Sequence, residues 1–133
     1  MQNLCNEGYY RHYRTGSGGI SYQDSEELKV FTKRLASQIK EKYHPQTVLD
    51  AGCAMGMLVA ALRDLGVEAY GVDLSEYAIS QVREDIRPYC AVGSLSSALP
   101  DSLPKRYDLV VSMEVLEHMP EEDAKKRLPI YVQ

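Results

Sequence analysis

The chain has 133 residues, of which 44% are hydrophobic, a formal net charge of -4, and three cysteines that form no C-x-x-C pair. This length suits one domain with one core, the acidic balance argues against a nucleic-acid partner, and the cysteine spacing argues for reduced thiols and against a structural metal. Because no apolar run is long enough to cross a bilayer and the N-terminus lacks a charged-then-apolar signal pattern, we expect a cytoplasmic protein without a membrane partner.

Two segments precede the first predicted strand. Residues 1–22 carry tyrosines, cations and glycines in close succession, a composition that suits a lid over a binding site and equally a disordered leader. Asp24 and Glu27 then form a capping box, which predicts the start of a helix. The apolar residues of this helix recur at helical spacing and are Leu28, Phe31, Leu35, Ile39 and Tyr43. We expect this apolar face to pack on a sheet.

The first strand-to-helix unit is predicted over residues 47–65. An apolar run ends in Asp50, and a turn of small residues then leads into a helical pattern of apolar residues. These residues are Leu58, Ala61, Leu62 and Leu65. Gly52 and Gly56 lack a Cβ, so the backbone between them can turn sharply and approach a ligand. The unit therefore predicts a ligand-binding loop after the first strand.

A second unit follows over residues 67–86. Its strand ends in Asp73, and Ser75 is a suitable N-cap for a helix with apolar residues at Ile79, Val82 and Ile86. The two strands are predicted neighbours, so the Asp73 carboxylate can accept hydrogen bonds from both hydroxyls of a ribose bound beside the glycine loop. The loop and the acid together favour a nucleoside ligand.

The glycine spacing discriminates between nucleosides. A dinucleotide-binding loop has the pattern G-x-G-x-x-G, whereas this loop has only Gly52 and Gly56. Asp50 would repel a diphosphate, but it suits a ligand with an ammonium group. A nicotinamide- or nucleotide-binding Rossmann protein therefore stays as an alternative interpretation.

Three segments occur in a fixed order: 48–56 (VLDAGCAMG), 72–75 (VDLS) and 106–120 (RYDLVVSMEVLEHMP). They resemble the motifs of class I S-adenosylmethionine-dependent methyltransferases of the small-molecule type. The resemblance implies an α/β, three-layer Rossmann-like fold with a parallel sheet in the order 3-2-1-4. It also implies S-adenosylmethionine as the cofactor and direct methyl transfer to a small-molecule acceptor. On this basis residues 23–133 form a partial S-adenosylmethionine-binding domain, preceded by the lid or leader.

The same resemblance implies which residues bind the cofactor. Asp73 would bind the ribose and Leu74 the adenine, while the loop around Gly52 would surround the amino-acid end. Ser112 and Met113 would lie near the sulfonium. The full implied set is Asp50, Ala51, Gly52, Cys53, Gly56, Asp73, Leu74, Ser94, Ser112 and Met113.

Two residues depart from the family pattern. Ala54 stands where the first motif has its middle glycine, which crowds the loop by one methyl group. Ser94 stands where the family has an acid that contacts the adenine amino group, and a neutral hydroxyl makes a weaker contact. Both departures predict weaker cofactor binding.

Glu114, Glu117 and His118 share one face of a helical turn. The E-x-x-E-H pattern resembles the metal ligands of RNA 3'-end methyltransferases, but the further histidine of that set has no counterpart here, so we assign no metal. His118 is the candidate catalytic base because an imidazole titrates near neutrality. A structural hydrogen bond between His118 and a neighbouring acid is the alternative.

Only four strands are predicted, at about 47–51, 67–72, 89–93 and 107–112, so the later strands of the family sheet are missing and we expect a truncated chain. The fourth strand would then form an exposed apolar edge, which predicts a homodimer joined at this edge, with the tail 128–133 as an alternative cover. We expect cofactor binding to exceed turnover. A cofactor-binding fragment or an assembly module without turnover is the second alternative function.

Overall fold

The computed structural model describes residues 26–94 and 98–112, together with the backbone of Ile130–Val132. The predicted lid over residues 1–22 lies outside the described residues, as do Met113, Glu114, Glu117 and His118. The elements in chain order are α1 (Glu26–Tyr43), β1 (Thr47–Ala51), α2 (Met57–Asp64), β2 (Glu68–Asp73), α3 (Glu76–Ser80), a 3-10 helix (Glu84–Tyr89), β3 (Cys90–Val92), β4 (Leu109–Val111) and β5 (Ile130–Val132).

The strands form one sheet in the order β3-β2-β1-β4-β5. β1 pairs in parallel with β2 and with β4, and β2 pairs in parallel with β3. The predicted order 3-2-1-4 of the parallel strands is therefore confirmed. Since parallel strands end at the same edge, the residues that follow β1, β2 and β4 lie close together.

The edge of β4 differs from the sequence prediction. β5 pairs antiparallel with β4 in the same chain, with Val110 opposite Tyr131. The expectation of an exposed β4 edge is therefore wrong, because the tail covers it in cis. The homodimer was predicted because the β4 edge would be exposed. This argument no longer applies, since the backbone groups of β4 have partners on both sides.

Apolar residues cover both faces of the sheet, as is usual for parallel strands with crossover connections. One face packs against α1 and α2 through the buried residues Ile39, Val48, Val59, Leu62, Ala69, Leu109 and Val111. The other face is covered by the segment 98–107, which contributes Leu103 and Tyr107. The core therefore lies on both sides of β1.

The predicted apolar face of α1 packs against the core except at Phe31, and two further residues, Thr32 and Ala36, are buried with it. Its buried residues are Thr32, Ala36 and Ile39, whereas Phe31 is 52% exposed. Thr32 and Ala36 are small, and the Thr32 hydroxyl donates a hydrogen bond of 2.7 Å to the Leu28 carbonyl. A polar residue is therefore satisfied within the helix and can face the core, which the apolar pattern alone did not indicate.

The helix predicted after Asp73 is interrupted. The predicted cap is confirmed, because the Ser75 hydroxyl accepts a hydrogen bond of 3.1 Å from Ala78 N. α3 nevertheless ends at Ser80, and a 3-10 helix containing Pro88 follows. Proline lacks an N–H and disfavours helical geometry in the preceding residue. Val82 and Ile86 are still buried, as their spacing predicted.

Asp108 joins β1 and β4 at the amino edge of the sheet. Its Oδ2 accepts hydrogen bonds from Gln46 N at 2.7 Å and Thr47 N at 3.2 Å. Asp108 N in turn donates to Thr47 Oγ1 at 3.0 Å. These bonds fix the register in which Val48 lies opposite Leu109.

Replacing Tyr107 with phenylalanine should leave the protein as stable or more stable by about 1 kcal/mol. The Tyr107 side chain is buried, and its hydroxyl has no hydrogen-bond partner among the described residues. Burial raises the pKa of Tyr107 to about 12. The pKa of Tyr107 is thus higher in the folded protein than the value of about 10 in the unfolded chain. Its protonated hydroxyl therefore contributes fully to the free energy of unfolding below pH 10, and this contribution is lost as the pH rises toward 12.

Urea denaturation of Tyr107→Phe and the unsubstituted protein at pH 8 and pH 11 measures both effects. Tyr70→Phe is the control, because the Tyr70 hydroxyl donates a hydrogen bond of 2.8 Å to Glu68 Oε2. A Tyr107→Phe variant that is less stable by more than about 1 kcal/mol would contradict the unsatisfied hydroxyl.

In residues 26–94 and 98–112, no helix combines the length and the hydropathy that a membrane span requires. The cytoplasmic location stays a prediction.

Candidate cofactor site at the carboxyl edge of the sheet

A tight loop connects β1 to α2. Gly52 has a φ of +90°, in the left-handed region that glycine adopts readily. Gly52 N and Cys53 N both donate to the carbonyl of Val72, at 2.7 and 3.0 Å, and Gly56 N donates to the Cys53 carbonyl at 2.9 Å. The loop is therefore folded back onto the end of β2, and the N-cap of α2, Gly56, has no side chain with which to cap the helix.

Asp73 holds this loop to β2. It is only 8% exposed, and its Oδ2 accepts a hydrogen bond of 2.7 Å from Ala54 N. Its Oδ1 accepts a second bond of 2.9 Å from Ser75 N. A carboxylate offers about four acceptor positions, so both oxygens can also accept a bond from a ligand hydroxyl. The sequence suggested only a ligand-binding role for Asp73, and the loop contact is an additional one.

Ala54 adopts a φ of +52°, which an L side chain rarely adopts. Its methyl group is completely buried and packs with Met55 and Ala78. The hydrogen bond to Asp73 and this packing together hold the residue in a conformation that glycine would adopt without strain.

Gly56 has a packing environment that the sequence did not indicate, and its approach to a ligand stays a prediction. It has a φ of +76°, and a Cβ at this position would lie 2.9 Å from Ile86 Cδ1 and 3.1 Å from Val82 Cγ1. A side chain at this position would therefore be opposed by the left-handed backbone conformation and by contact with the segment after α3. Arg83 lies in the same segment and pairs with Asp64 of α2 at 2.8 Å.

Sequence analysis missed Gly71, which lies inside β2. A Cβ on Gly71 would lie 2.7 Å from Cys53 Sγ and 2.8 Å from Cys53 Cβ. The loop after β1 thus depends on the absence of a side chain on the neighbouring strand. A glycine in the interior of a strand pattern is the signal that could have indicated this close approach.

The remaining predicted residues fall at the same edge. Asp50 is 3% exposed and lies opposite Gly71 in the sheet, and Ser112 is buried directly after β4. Leu74 follows Asp73 and is 44% exposed. Ser94 follows Gly93, whose N–H donates to the Asp73 carbonyl at 2.9 Å. The structure therefore brings together all predicted cofactor residues that it describes, although the side chain of Cys53 packs into the core.

The arrangement combines three chemical features at one edge. Two buried carboxylates, Asp50 and Asp73, end adjacent strands. The backbone amides at the start of α2 lack a side-chain cap, and Leu74 presents an exposed apolar surface. This donor and acceptor set fits a ligand with a cation, a diol and an aromatic base.

Residues 10–126 match a family model described as a methyltransferase domain. The chain belongs to this methyltransferase domain family. Ubiquinone biosynthesis O-methyltransferase of Methylococcus capsulatus is 40% identical over 77 residues, which are 55% of this chain and 32% of that protein. Magnesium-protoporphyrin O-methyltransferase of Synechocystis is 32% identical over 80 residues, 58% of this chain and 35% of that protein. The methyltransferase domain thus spans about a third of the length of these relatives.

A solved structure is similar to the methyltransferase domain over most of its length. The magnesium protoporphyrin IX methyltransferase of Synechocystis with bound S-adenosylmethionine superimposes with a TM-score of 0.65 and 21% identity. The match covers 92% of this chain and 64% of that one. At this identity the likeness establishes the Rossmann-like methyltransferase fold, which was predicted from the motifs.

Proposed function

We propose that this chain binds S-adenosylmethionine and belongs to an enzyme that transfers the methyl group to a small-molecule acceptor. The observation that carries the proposal is the pair of buried acids, Asp50 and Asp73, at the ends of adjacent strands of a methyltransferase domain, with the glycine loop folded between them. S-adenosylmethionine matches this set, because it has an ammonium group, a ribose diol and an adenine.

Five of the described residues have a side-chain role in this proposal. Asp73 accepts hydrogen bonds from the ribose hydroxyls, and Asp50 attracts the ammonium group. Leu74 supplies an apolar surface for the adenine. Ser94 and Ser112, at the ends of the flanking strands, offer hydroxyls to the adenine and to the region of the sulfonium. The roles of Met113 and of His118 stay predictions, because both lie outside the described residues.

For methyl transfer the protein mainly has to align the methyl donor with the acceptor. The bound sulfonium makes the methyl group electrophilic, so no covalent enzyme intermediate is required. The chain has to hold the donor in one orientation and to exclude water, which is worth several kcal/mol in well-aligned reactions. The buried loop, held by Asp73 and by the Val72 carbonyl, supplies a rigid wall for this purpose.

The acceptor is proposed from the relatives. Both relatives named above are O-methyltransferases, which supports a small molecule with an oxygen nucleophile. The matched segment of this chain spans about a third of the length of these relatives. We therefore expect cofactor binding with little turnover from this chain alone, which keeps the non-catalytic fragment as the second candidate.

Calorimetric titration with S-adenosylhomocysteine and with NAD tests the cofactor. We expect saturable binding of S-adenosylhomocysteine and none of NAD at the same concentrations, because Asp50 lies where a diphosphate would be repelled. Tighter binding of NAD would overturn the proposal in favour of a dinucleotide-binding protein. Transfer of a labelled methyl group from S-adenosylmethionine to phenolic or carboxylic small molecules separates an active enzyme from a silent fragment.

A further inference from the structure

Two cysteines from distant parts of the chain meet below the cofactor loop. Cys53 lies in the loop after β1, and Cys90 begins β3; both are free and buried. Gly71 brings them together, because it is the direct neighbour of Cys90 in the sheet and its missing Cβ leaves the space that Cys53 fills. Neighbouring strands are about 4.8 Å apart, and Cys53 Sγ lies 2.7 Å from the place that a Cβ of Gly71 would take, so both cysteines adjoin the same backbone position.

The surroundings of the two thiols differ, so that Cys90 is the nucleophile and Cys53 the proton donor. The Cys53 thiol donates to the Ala54 carbonyl at 3.7 Å. Polar contact with the Cys53 side chain, together with the nearby Arg63 guanidinium, lowers the pKa of Cys90. The same contact and complete burial raise the pKa of Cys53. Thiolates are the reactive form of cysteine, so Cys90 is the residue that an oxidant would attack first.

The Arg63 side chain is held in place near Cys90 by contacts with neighbouring residues. Its Nε donates a hydrogen bond of 2.6 Å to the Ala69 carbonyl, and its guanidinium lies 3.3 Å from the centre of the Tyr89 ring. Its Nη2 is buried without a hydrogen-bond partner among the described residues. A fixed cation with an unsatisfied donor, close to Cys90, favours a negative charge on that sulfur.

We propose that Cys53 and Cys90 form an oxidisable dithiol, which a peroxide converts to a disulfide that distorts the cofactor loop. The Cys90 thiolate attacks one oxygen of hydrogen peroxide, the O–O bond breaks, and the departing hydroxide takes up a proton to leave as water. The Cys53 thiol then attacks the sulfenic sulfur, so an S–S bond forms, the S–O bond breaks and a second water leaves. Two thiols and one peroxide thus yield one disulfide and two waters.

The disulfide would change the loop because the sulfurs must move from contact to about 2.05 Å. Cys53 N donates to the Val72 carbonyl, and the next residue, Ala54, donates to Asp73. Displacing the Cys53 side chain toward β3 therefore strains the segment that carries the Asp73 contact. We expect affinity for S-adenosylhomocysteine to fall about tenfold on oxidation, an effect that rests on the proposed function.

Peroxide treatment in a Cys5→Ser background tests the proposal. We expect the folded protein to lose about 2 Da, peptide mapping to join Cys53 to Cys90, and dithiothreitol to reverse the change. Cys53→Ala and Cys90→Ala are matched controls, and neither should form the disulfide. Failure of the reduced, folded protein to form this disulfide would overturn the proposal.

Two readouts separate this proposal from the proposed function. Hydrogen exchange over residues 52–56 reports the loop without any cofactor, and it should be faster in the oxidised protein. Titration with S-adenosylhomocysteine reports binding. If the reduced protein does not bind, the proposed function fails, and hydrogen exchange still decides the effect on the loop. A disulfide that leaves exchange of the loop unchanged would refute the distortion.

Discussion

We expect Asp73→Asn to weaken binding of S-adenosylhomocysteine by about 1.5–3 kcal/mol, roughly 10- to 150-fold in Kd. The substitution removes the charge that the ribose hydroxyls would meet and turns an amide NH2 toward one of two backbone donors, Ala54 N or Ser75 N. Because those contacts also hold the loop, the free energy of unfolding should fall by about 1–3 kcal/mol in the same variant. Titration calorimetry and urea denaturation measure the two quantities.

Asp108→Asn is the matched control for this prediction. Asp108 also accepts two backbone hydrogen bonds, from Gln46 and Thr47, but at the opposite edge of the sheet. It should lower stability without changing the Kd for S-adenosylhomocysteine. Equal loss of affinity in both variants would mean that Asp73 acts only through stability, and full affinity in Asp73→Asn would remove Asp73 from the cofactor site.

We expect Gly71→Ala to lower the free energy of unfolding by about 3 kcal/mol or more, at the upper end of the range for overpacking. The added Cβ would lie 2.8 Å from Cys53 Cβ, 2.7 Å from Cys53 Sγ and 3.1 Å from Val59 Cγ2. The Cβ of Cys53 is attached to the loop backbone and cannot rotate away, so the loop itself has to move. Urea denaturation measures the change.

Substitutions of Cys53 in the Gly71→Ala background test whether contact with Cys53 causes the loss of stability. Cys53→Ala should recover only part of the lost stability, since it removes the contact with Sγ and leaves the one with Cβ, whereas Cys53→Gly removes both contacts. Gly66→Ala is the control, because nothing lies within 4 Å of its added Cβ and only its φ of +84° opposes the change, at about 1 kcal/mol. If Gly71→Ala and Gly66→Ala lowered the free energy of unfolding by similar amounts, backbone strain and not contact with Cys53 would explain the loss in both variants.

Features that depend on local pattern could be predicted from the sequence. β1 and β2 are apolar runs that end in Asp50 and Asp73, and parallel pairing brings such ends to one edge whatever the details of packing. The Ser75 cap was predictable for the same reason, since it involves only Ala78 three residues later. The convergence of the predicted site residues at one edge could therefore be predicted at the level of strands and loops, and their role in cofactor binding stays a prediction.

Features that depend on distant contacts could not be predicted. A side chain at position 56 would meet Val82 and Ile86 in addition to its unfavourable φ, and a side chain at position 71 would meet Cys53. Neither contact follows from spacing along the chain. The position of β5 depends in the same way on which free edge the tail reaches, and a short apolar segment alone does not determine this.

The hydrogen bonds of Asp108 to Gln46 and Thr47 also bear on the order of folding. Asp108 and Thr47 are 61 residues apart, whereas β1 and β2 are joined by the short crossover through α2. Closing the longer loop costs up to about 1 kcal/mol more chain entropy, so β1, α2 and β2 can assemble first and β4 can join them later. On this argument Asp108 stabilises a contact that forms after β1 and β2 have paired, so we expect it to fix the register of β4 once the edge carrying Asp50 and Asp73 exists.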